Sequence, residues 1–278
     1  MSVLKLGERV LSLDTPVIMG VLNVTPDSFS DGGLYTHAEA ALKHAQTLVA
    51  EGARIIDVGG ESTRPGATRP ALATELARVV PVIELLAQHL DVIISVDTSR
   101  AEVMRAAVQA GACLVNDVRG FREPHTLTTC AALNVGVAIM HMQGEPSNMQ
   151  INPRYAQVGP EVAAYLAQQT QACLAAGIAP ESILWDPGFG FGKTHAHNAE
   201  LFAYLPTLAQ APYPLLIGVS RKSWVGHLTA ETEPQNRVSG SVALALLACQ
   251  RGARVIRTHD VKATAQALRV YNALALAP

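Results

Sequence analysis

Three polar side chains, Asp97, Asn116 and Asp186, each close a short apolar run, over residues 92–96, 114–115 and 183–185. A carboxylate that ends a buried strand must be paired or hydrogen-bonded. A planar ligand with an amidine-like N–C–NH2 edge satisfies it, because two parallel donors match one carboxylate as a guanidinium does. A 2-amino-4-oxopteridine has that edge. Internal salt bridges, for instance Asp97 with Arg100, are the competing reading. A second set is basic: Arg64, Arg221, Lys222, Arg257 and His259 fall at or just beyond strand-like runs in a chain of formal net charge −2. Cations gathered on a slightly acidic protein suit phosphate or diphosphate. The alternative is that each pairs with a nearby carboxylate such as Asp57, Glu61 or Asp260.

Other chemistries fit less well. The segment Asp186-Pro187-Gly188-Phe189-Gly190-Phe191-Gly192-Lys193-Thr194 invites a nucleotide reading, but a phosphate loop needs glycine where Pro187 stands. It reads as a mobile, aromatic-bearing active-site loop, with plain turn chemistry as the alternative. The nine histidines show no zinc spacing, and His195 and His197 read as solvent-exposed. A hard cation with water and phosphate ligands needs few protein groups, so Mg2+ stays open without a protein cage. Gly218-Val219-Ser220-Arg221-Lys222 is not a nucleophile elbow. The four cysteines (Cys113 in a strand; Cys130, Cys173 and Cys249 in helices) lack ligand spacing and read as buried free thiols of a reduced compartment.

The elements that must position these groups follow from the apolar pattern. Eight runs that are apolar throughout end in polar clusters: at Asn23, Asp57, Asp97, Asn116, His141, Asp186, Ser220-Arg221-Lys222, and Arg257 with His259. Runs of this kind mark parallel strands buried on both faces. Helical periodicity lies between most of them, over 37–50, 72–89, 100–110, 125–133, 155–176, 197–208, 236–251 and 261–274. Gly52, Gly111, Gly177 and Gly252 follow helical patterns as caps. The architecture expected is an α/β (β/α)8 TIM barrel, with its strand C-termini converging on one active-site face. A short N-terminal β-hairpin over residues 2–14 precedes it and closes the barrel bottom. The longest loops, 23–36, 59–71, 141–154 and 187–196, share the active-site face. One domain spans 1–278, within the usual size of such barrels. Its 49% hydrophobic and 16% charged composition supports a large core. No basic field suggests nucleic acid. Residues 1–9 lack a signal-peptide core, and the longest apolar stretch, 242–249, is far short of the ~20 residues of a membrane span. A soluble cytoplasmic protein is expected.

Two strings carry a resemblance. Gly20-Val21-Leu22-Asn23-Val24-Thr25-Pro26-Asp27-Ser28-Phe29-Ser30-Asp31-Gly32-Gly33 and Asp57-Val58-Gly59-Gly60-Glu61-Ser62-Thr63-Arg64-Pro65-Gly66 closely resemble the two signatures of the bacterial dihydropteroate synthase family. Ser95-Val96-Asp97-Thr98, Asn116-Asp117, the 186–193 segment, Ser220-Arg221-Lys222-Ser223 and Arg257-Thr258-His259-Asp260 match in order, so the resemblance covers essentially the whole chain. It implies a folate-pathway transferase joining 6-hydroxymethyl-7,8-dihydropterin diphosphate to 4-aminobenzoate. By the same resemblance Asp97, Asn116, Asp186 and Lys222 hold the pterin. Asn23, Arg64, Arg257 and His259 hold the diphosphate, with Asn23 near Mg2+. Thr63, Pro65, Phe191, Lys222 and Ser223 frame the aminobenzoate, and Phe29 and Asp31 sit on loops that close over the reactants, so that Asp97, Lys222, Phe29 and Asp31 form the catalytic set. A homodimer and sulfonamide targeting are further implications. The chemistry expected is a dissociative, SN1-like displacement. The competing readings are a pterin-binding corrinoid methyltransferase, which has no use for the basic set, and a catalytically idle pterin-binding paralogue, which should carry lesions in the first two loops.

Overall fold

In the computed structural model the residues described are 3–25, 34–62 and 66–275. Phe29, Asp31, Thr63, Arg64 and Pro65 lie outside them. A hairpin comes first: β1 (Val3–Leu6) pairs antiparallel with β2 (Arg9–Ser12). Eight parallel strands follow: β3 (Val17–Asn23), β4 (Ala53–Gly59), β5 (Ile93–Asp97), β6 (Leu114–Asp117), β7 (Gly136–Met140), β8 (Ile183–Asp186), β9 (Leu215–Ile217) and β10 (Ala253–Thr258). They close in sequence order, β10 pairing with both β3 and β9. This is the expected (β/α)8 barrel with its hairpin.

The period-two alternation of each strand sorts its side chains between two cores. Ile56, Val58, Ile94, Val96, Val115 and Val137 point outward and pack under the helices. Ile55, Ile93, Leu114, Ala138, Leu184, Leu216 and Val255 point inward and form one layer with Met19. The hairpin completes this layer from below: Leu4, Leu6, Leu11 and Leu13, all buried, pack against it. The barrel floor is therefore dry and apolar, and polar groups can face inward only above it.

The helices are α1 (Leu34–Glu51), α2 (Leu72–His89), α3 (Ala101–Gln109), α4 (Thr126–Leu133), α5 (Val158–Ala175), α6 (His195–Leu208), α7 (Ser223–Thr229), α8 (Val238–Gln250) and α9 (Val261–Ala275). Gly52, Gly111, Gly177 and Gly252 all take positive φ at helix ends. Three differences from the periodicity have local causes. α5 starts at Val158 rather than 155, because the Glu161 side chain accepts from the backbone N–H groups of Ala156 and Gln157 and holds them outside the helix. α6 starts two residues early, at a capping box: Thr194 Oγ1 accepts from the His197 N–H, and His197 Nδ1 accepts from the Thr194 N–H. α7 was not expected from the pattern; seven residues with an internal glycine are too short to show periodicity. Cys113 precedes β6 and is half-buried, whereas the other three cysteines are buried free thiols.

Candidate active site

Continuing inward by twos above the leucine layer places Asp57 on β4, Ser95 and Asp97 on β5, Asn116 on β6 and Asp186 at the end of β8. Register brings them side by side: Asp57 is opposite Ser95, and Asp97 opposite Asn116. Arg257 enters from β10. Its Nε donates to Asp57 Oδ2 at 2.7 Å and a terminal nitrogen donates to Asp97 Oδ2 at 2.9 Å. Asp57 also accepts from Ser95 Oγ at 2.7 Å and from Asn116 Nδ2 at 3.1 Å. One fully buried carboxylate thus fixes both Asn116 and Arg257. Asn116 is left with its side-chain oxygen buried and without a partner among the described residues. An orphaned acceptor of this kind costs on the order of 1–3 kcal/mol unless a ligand donor meets it.

Electrostatics follow from burial. Removal from water pushes the Asp97 pKa up to about 8, against the opposing charge of Arg257. Burial likewise raises Asp186, opposed by Lys222 and by the Gly188 N–H, which donates to Asp186 Oδ1 at 2.7 Å. Lys222 is brought down to about 8 by burial, with Asp186 resisting. Its ammonium donates to the Phe189 carbonyl and lies 4.4 Å from the centre of the Phe191 ring. His259 is lowered to about 4 by burial and by the neighbouring Arg257 and Arg221, so it is neutral at pH 7. Its backbone N–H donates to Ser220 Oγ, and Nδ1 lies 3.1 Å from the same oxygen, so Ser220 fixes the orientation of the ring.

Several expectations change on this geometry. Arg100 does not pair with Asp97; its Nε lies 3.5 Å from Glu75, and its Nη2 donates to the Pro70 carbonyl at 2.6 Å. Arg221 is committed to Asp260, through Nε at 3.0 Å and a second, shorter contact. Pairing with a carboxylate is thus the outcome for Arg221, and in part for Arg257. The 187–196 segment is not a loose loop. Phe189 is buried and stacks on Trp224, with ring centres 5.6 Å apart and planes inclined by 7°, and Gly190 donates to Asn198 Oδ1 at 2.8 Å. His195 is exposed, but His197 is half-buried, its ring engaged in the capping box with Thr194. Ser223 is exposed at the start of α7, beside Lys222.

Residues the pattern under-weighted are Asp57, Lys193, His141, and the ion-pair group of Glu61, Arg119 and Glu145. Asp57 carried a signal: it stands two after the inward Ile55, as Asp97 stands four after the inward Ile93. Arg119, nearly buried, donates to Glu61 at 2.9 Å and to Glu145 at 2.8 Å, which ties the end of β4 to the loops after β6 and β7. No sequence feature marks that partnership.

A hard-cation position is compatible with the lip. A Cβ built on Gly59 would lie 3.6 Å from Asn23 Oδ1 and 3.8 Å from Asp97 Oδ2, so glycine leaves open a notch flanked by two oxygen donors. No group of three or more His, Cys, Asp or Glu side chains able to hold a metal occurs among the described residues. The donor set suits an ion that keeps most of its ligands as water and phosphate oxygens.

Comparison with known proteins agrees with this arrangement. The sequence profile described as pterin binding enzyme matches residues 19–259. The dihydropteroate synthase of Escherichia coli strain K12 is 50% identical over 263 residues, which is 95% of this chain and 93% of that one. The structure of Xanthomonas albilineans dihydropteroate synthase with 4-aminobenzoic acid superposes with a TM-score of 0.94 at 49% identity, covering 100% of this chain and 99% of the other. The same enzyme in complex with 7,8-dihydropteroate superposes at 0.91 with 46% identity, covering 99% and 100%.

Proposed function

This chain belongs to the pterin binding enzyme family, and from that premise we propose that it is a transferase of folate biosynthesis. It condenses 6-hydroxymethyl-7,8-dihydropterin diphosphate with 4-aminobenzoate to give 7,8-dihydropteroate and diphosphate. The observation that carries the reading is the acceptor floor: the Asn116 oxygen, without a partner among the described residues, stands on β6, in the strand order between Asp97 on β5 and Asp186 on β8, above the apolar inner layer. That floor suits the N–H-rich edge of a 2-amino-4-oxopterin and disfavours a ligand without donors, which would leave all three groups unmet.

The pterin sits on Asp97, Asn116 and Asp186, with the Lys222 ammonium beside Asp186. Its CH2–O bond then points to the lip. There Asn23, Arg257, His259 and Arg64 hold the diphosphate, with His259 as a neutral ring. Mg2+ at the Asn23 notch would draw charge from the leaving diphosphate when bound. As the CH2–O bond breaks, positive charge spreads into the dihydropterin ring, and the Asp97 carboxylate stabilises it. The aniline nitrogen of aminobenzoate attacks the CH2 carbon and loses a proton to solvent. That nitrogen is already neutral near pH 7, so no strong base is required. Phe191, Thr63 and Pro65 frame the aminobenzoate, and Ser223 meets its carboxylate. Phe29 and Asp31, outside the described residues, complete the catalytic set by shielding the cation from water. Competition by sulfonamides at the aminobenzoate position, a homodimer and cytoplasmic residence complete the proposal.

The test is to incubate purified protein with the pterin diphosphate, aminobenzoate and Mg2+ and to measure diphosphate and dihydropteroate together. Equal yields are expected. Pterin binding without turnover would identify an idle binding protein instead. Diphosphate release or positional isotope scrambling without aminobenzoate is expected of a dissociative step. Turnover that falls in proportion to amine nucleophilicity would assign a concerted displacement.

A further inference from the structure

Lys193 closes the glycine-rich segment that fails the phosphate-loop pattern, yet it is among the most buried charged groups of the molecule, 3% exposed. Its Nζ lies 2.9 Å from the Gly188 carbonyl oxygen, 3.0 Å from the Phe191 carbonyl oxygen and 2.9 Å from His141 Nδ1. The His141 carbonyl oxygen follows at 3.4 Å. An ammonium offers three donors and no acceptor, and three acceptors stand within 3.0 Å of it. The His141 ring is neutral, its pKa brought down to about 2 by burial and the adjacent Lys193 charge, and opposite an ammonium, which only donates, Nδ1 is the acceptor. Burial brings the Lys193 pKa well below its ordinary value, with Asp186 opposing, while the two carbonyl acceptors at Nζ favour the charged form.

The loop backbone is wound so that its carbonyls face this cation. Gly188 and Gly192 take φ of +70° and +58°. A Cβ at Gly188 would lie 1.9 Å from the His141 carbonyl oxygen, and one at Gly192 2.4 Å from the Gln143 carbonyl oxygen. These glycines allow the chain to wrap a tethered ammonium, and no anion is needed to explain them. The opposite side of the same loop meets the pterin groups. Gly188 N–H donates to Asp186, and Lys222 is held by the Phe189 carbonyl and the Phe191 ring. Each of these contacts is made at, or within two residues of, a carbonyl bound by Lys193.

The geometry points to Lys193 as a positioning residue of the pterin site: its ammonium, gripped by the Gly188 and Phe191 carbonyls and the His141 ring, sets the loop that aligns Asp186 and Lys222. This rests on the pterin-binding reading above. A misplacement of about 1 Å in groups that orient a reactant costs on the order of 100-fold, so a loosened loop should be visible in binding.

The experiment compares wild type, Lys193→Met and Lys193→Gln, using calorimetric binding of 6-hydroxymethylpterin, circular dichroism, and KM and kcat with the pterin diphosphate. Methionine keeps the volume and removes the charge and donors; glutamine keeps two N–H donors on a shorter stem. Lys193→Met is expected to fold, to bind pterin about tenfold or more weakly, and to raise KM more than it lowers kcat, with Lys193→Gln falling between it and wild type. A folded Lys193→Met that binds within about twofold of wild type would show the lysine to be core filler and overturn the inference. If the methionine variant does not fold, the glutamine variant decides on the same limits. Failure of both to fold assigns Lys193 to folding and overturns the positioning role. Wild type that binds pterin without turnover would sink the synthase reading and leave this one standing.

Discussion

Asp57 offers the sharpest perturbation. Its carboxylate has no solvent exposure and accepts from Ser95 Oγ, Asn116 Nδ2 and Arg257 Nε at 2.7, 3.1 and 2.7 Å. Asparagine at this position can keep all three contacts: the amide oxygen accepts from Asn116 and Arg257, and the Ser95 hydroxyl rotates to accept from the amide nitrogen. Only the charge is lost. Converting one charge-assisted hydrogen bond to a neutral one costs about 1–1.5 kcal/mol. Arg257 still holds Asp97 at 2.9 Å, so the guanidinium keeps one anchor. If that loss is expressed in the placing of Arg257, kcat/KM for the pterin diphosphate falls by about tenfold in Asp57→Asn. Asp57→Ala removes the contacts as well. Breaking a buried pair from one side costs about 3–5 kcal/mol, and the surviving Asp97 contact puts this case at the low end, for a loss of about 100-fold or more. The assay is diphosphate release against pterin diphosphate concentration at saturating aminobenzoate, with urea unfolding run in parallel. A folded Asp57→Asn enzyme within about twofold of wild type would refute the claim that the charge of Asp57 positions Arg257.

Other outcomes follow from the same geometry. On the proposed reading pterin binding needs Asp97 ionised, which its raised pKa of about 8 favours at higher pH, and Lys222 charged, which its lowered pKa of about 8 favours at lower pH. A bell-shaped kcat/KM profile centred near pH 8 is expected; residual activity of Asp97→Asn should lose the acid limb and that of Lys222→Met the alkaline one. Leu6→Ala, in the buried hairpin layer, should cost about 2–5 kcal/mol in urea unfolding while KM for both substrates is unchanged. Chelation of divalent ions should abolish diphosphate release while pterin binding, measured by calorimetry, survives, because of the three floor groups only Asp97 borders the notch; loss of both together would place the metal within the pterin site.

The strand ends were legible in the sequence because burial on both faces leaves a parallel strand no polar position until its C-terminus. That rule alone placed Asn23, Asp97, Asn116, Asp186 and Arg257 at one mouth. The sequence also determined the hairpin and the main helices, because each is a local pattern of period two or 3.6. Partnership was a different matter. Asp57 and Asp97 follow the same strand rule, yet Asp57 is shut beneath Ser95, Asn116 and Arg257, while Asp97 borders the open notch beside Gly59. The Asp97–Arg100 pairing that proximity along the chain suggests did not form, because Arg100 reaches Glu75 on α2 and Arg257 arrives from β10, 160 positions away. Lys193 read as a failed phosphate lysine, because nothing in its segment shows that its ammonium turns inward to the carbonyls of its own loop and to a histidine just past β7. Side-chain type and period are written along the chain. Which charge meets which is set by barrel closure and strand stagger, and those exist only once all eight strands are in register.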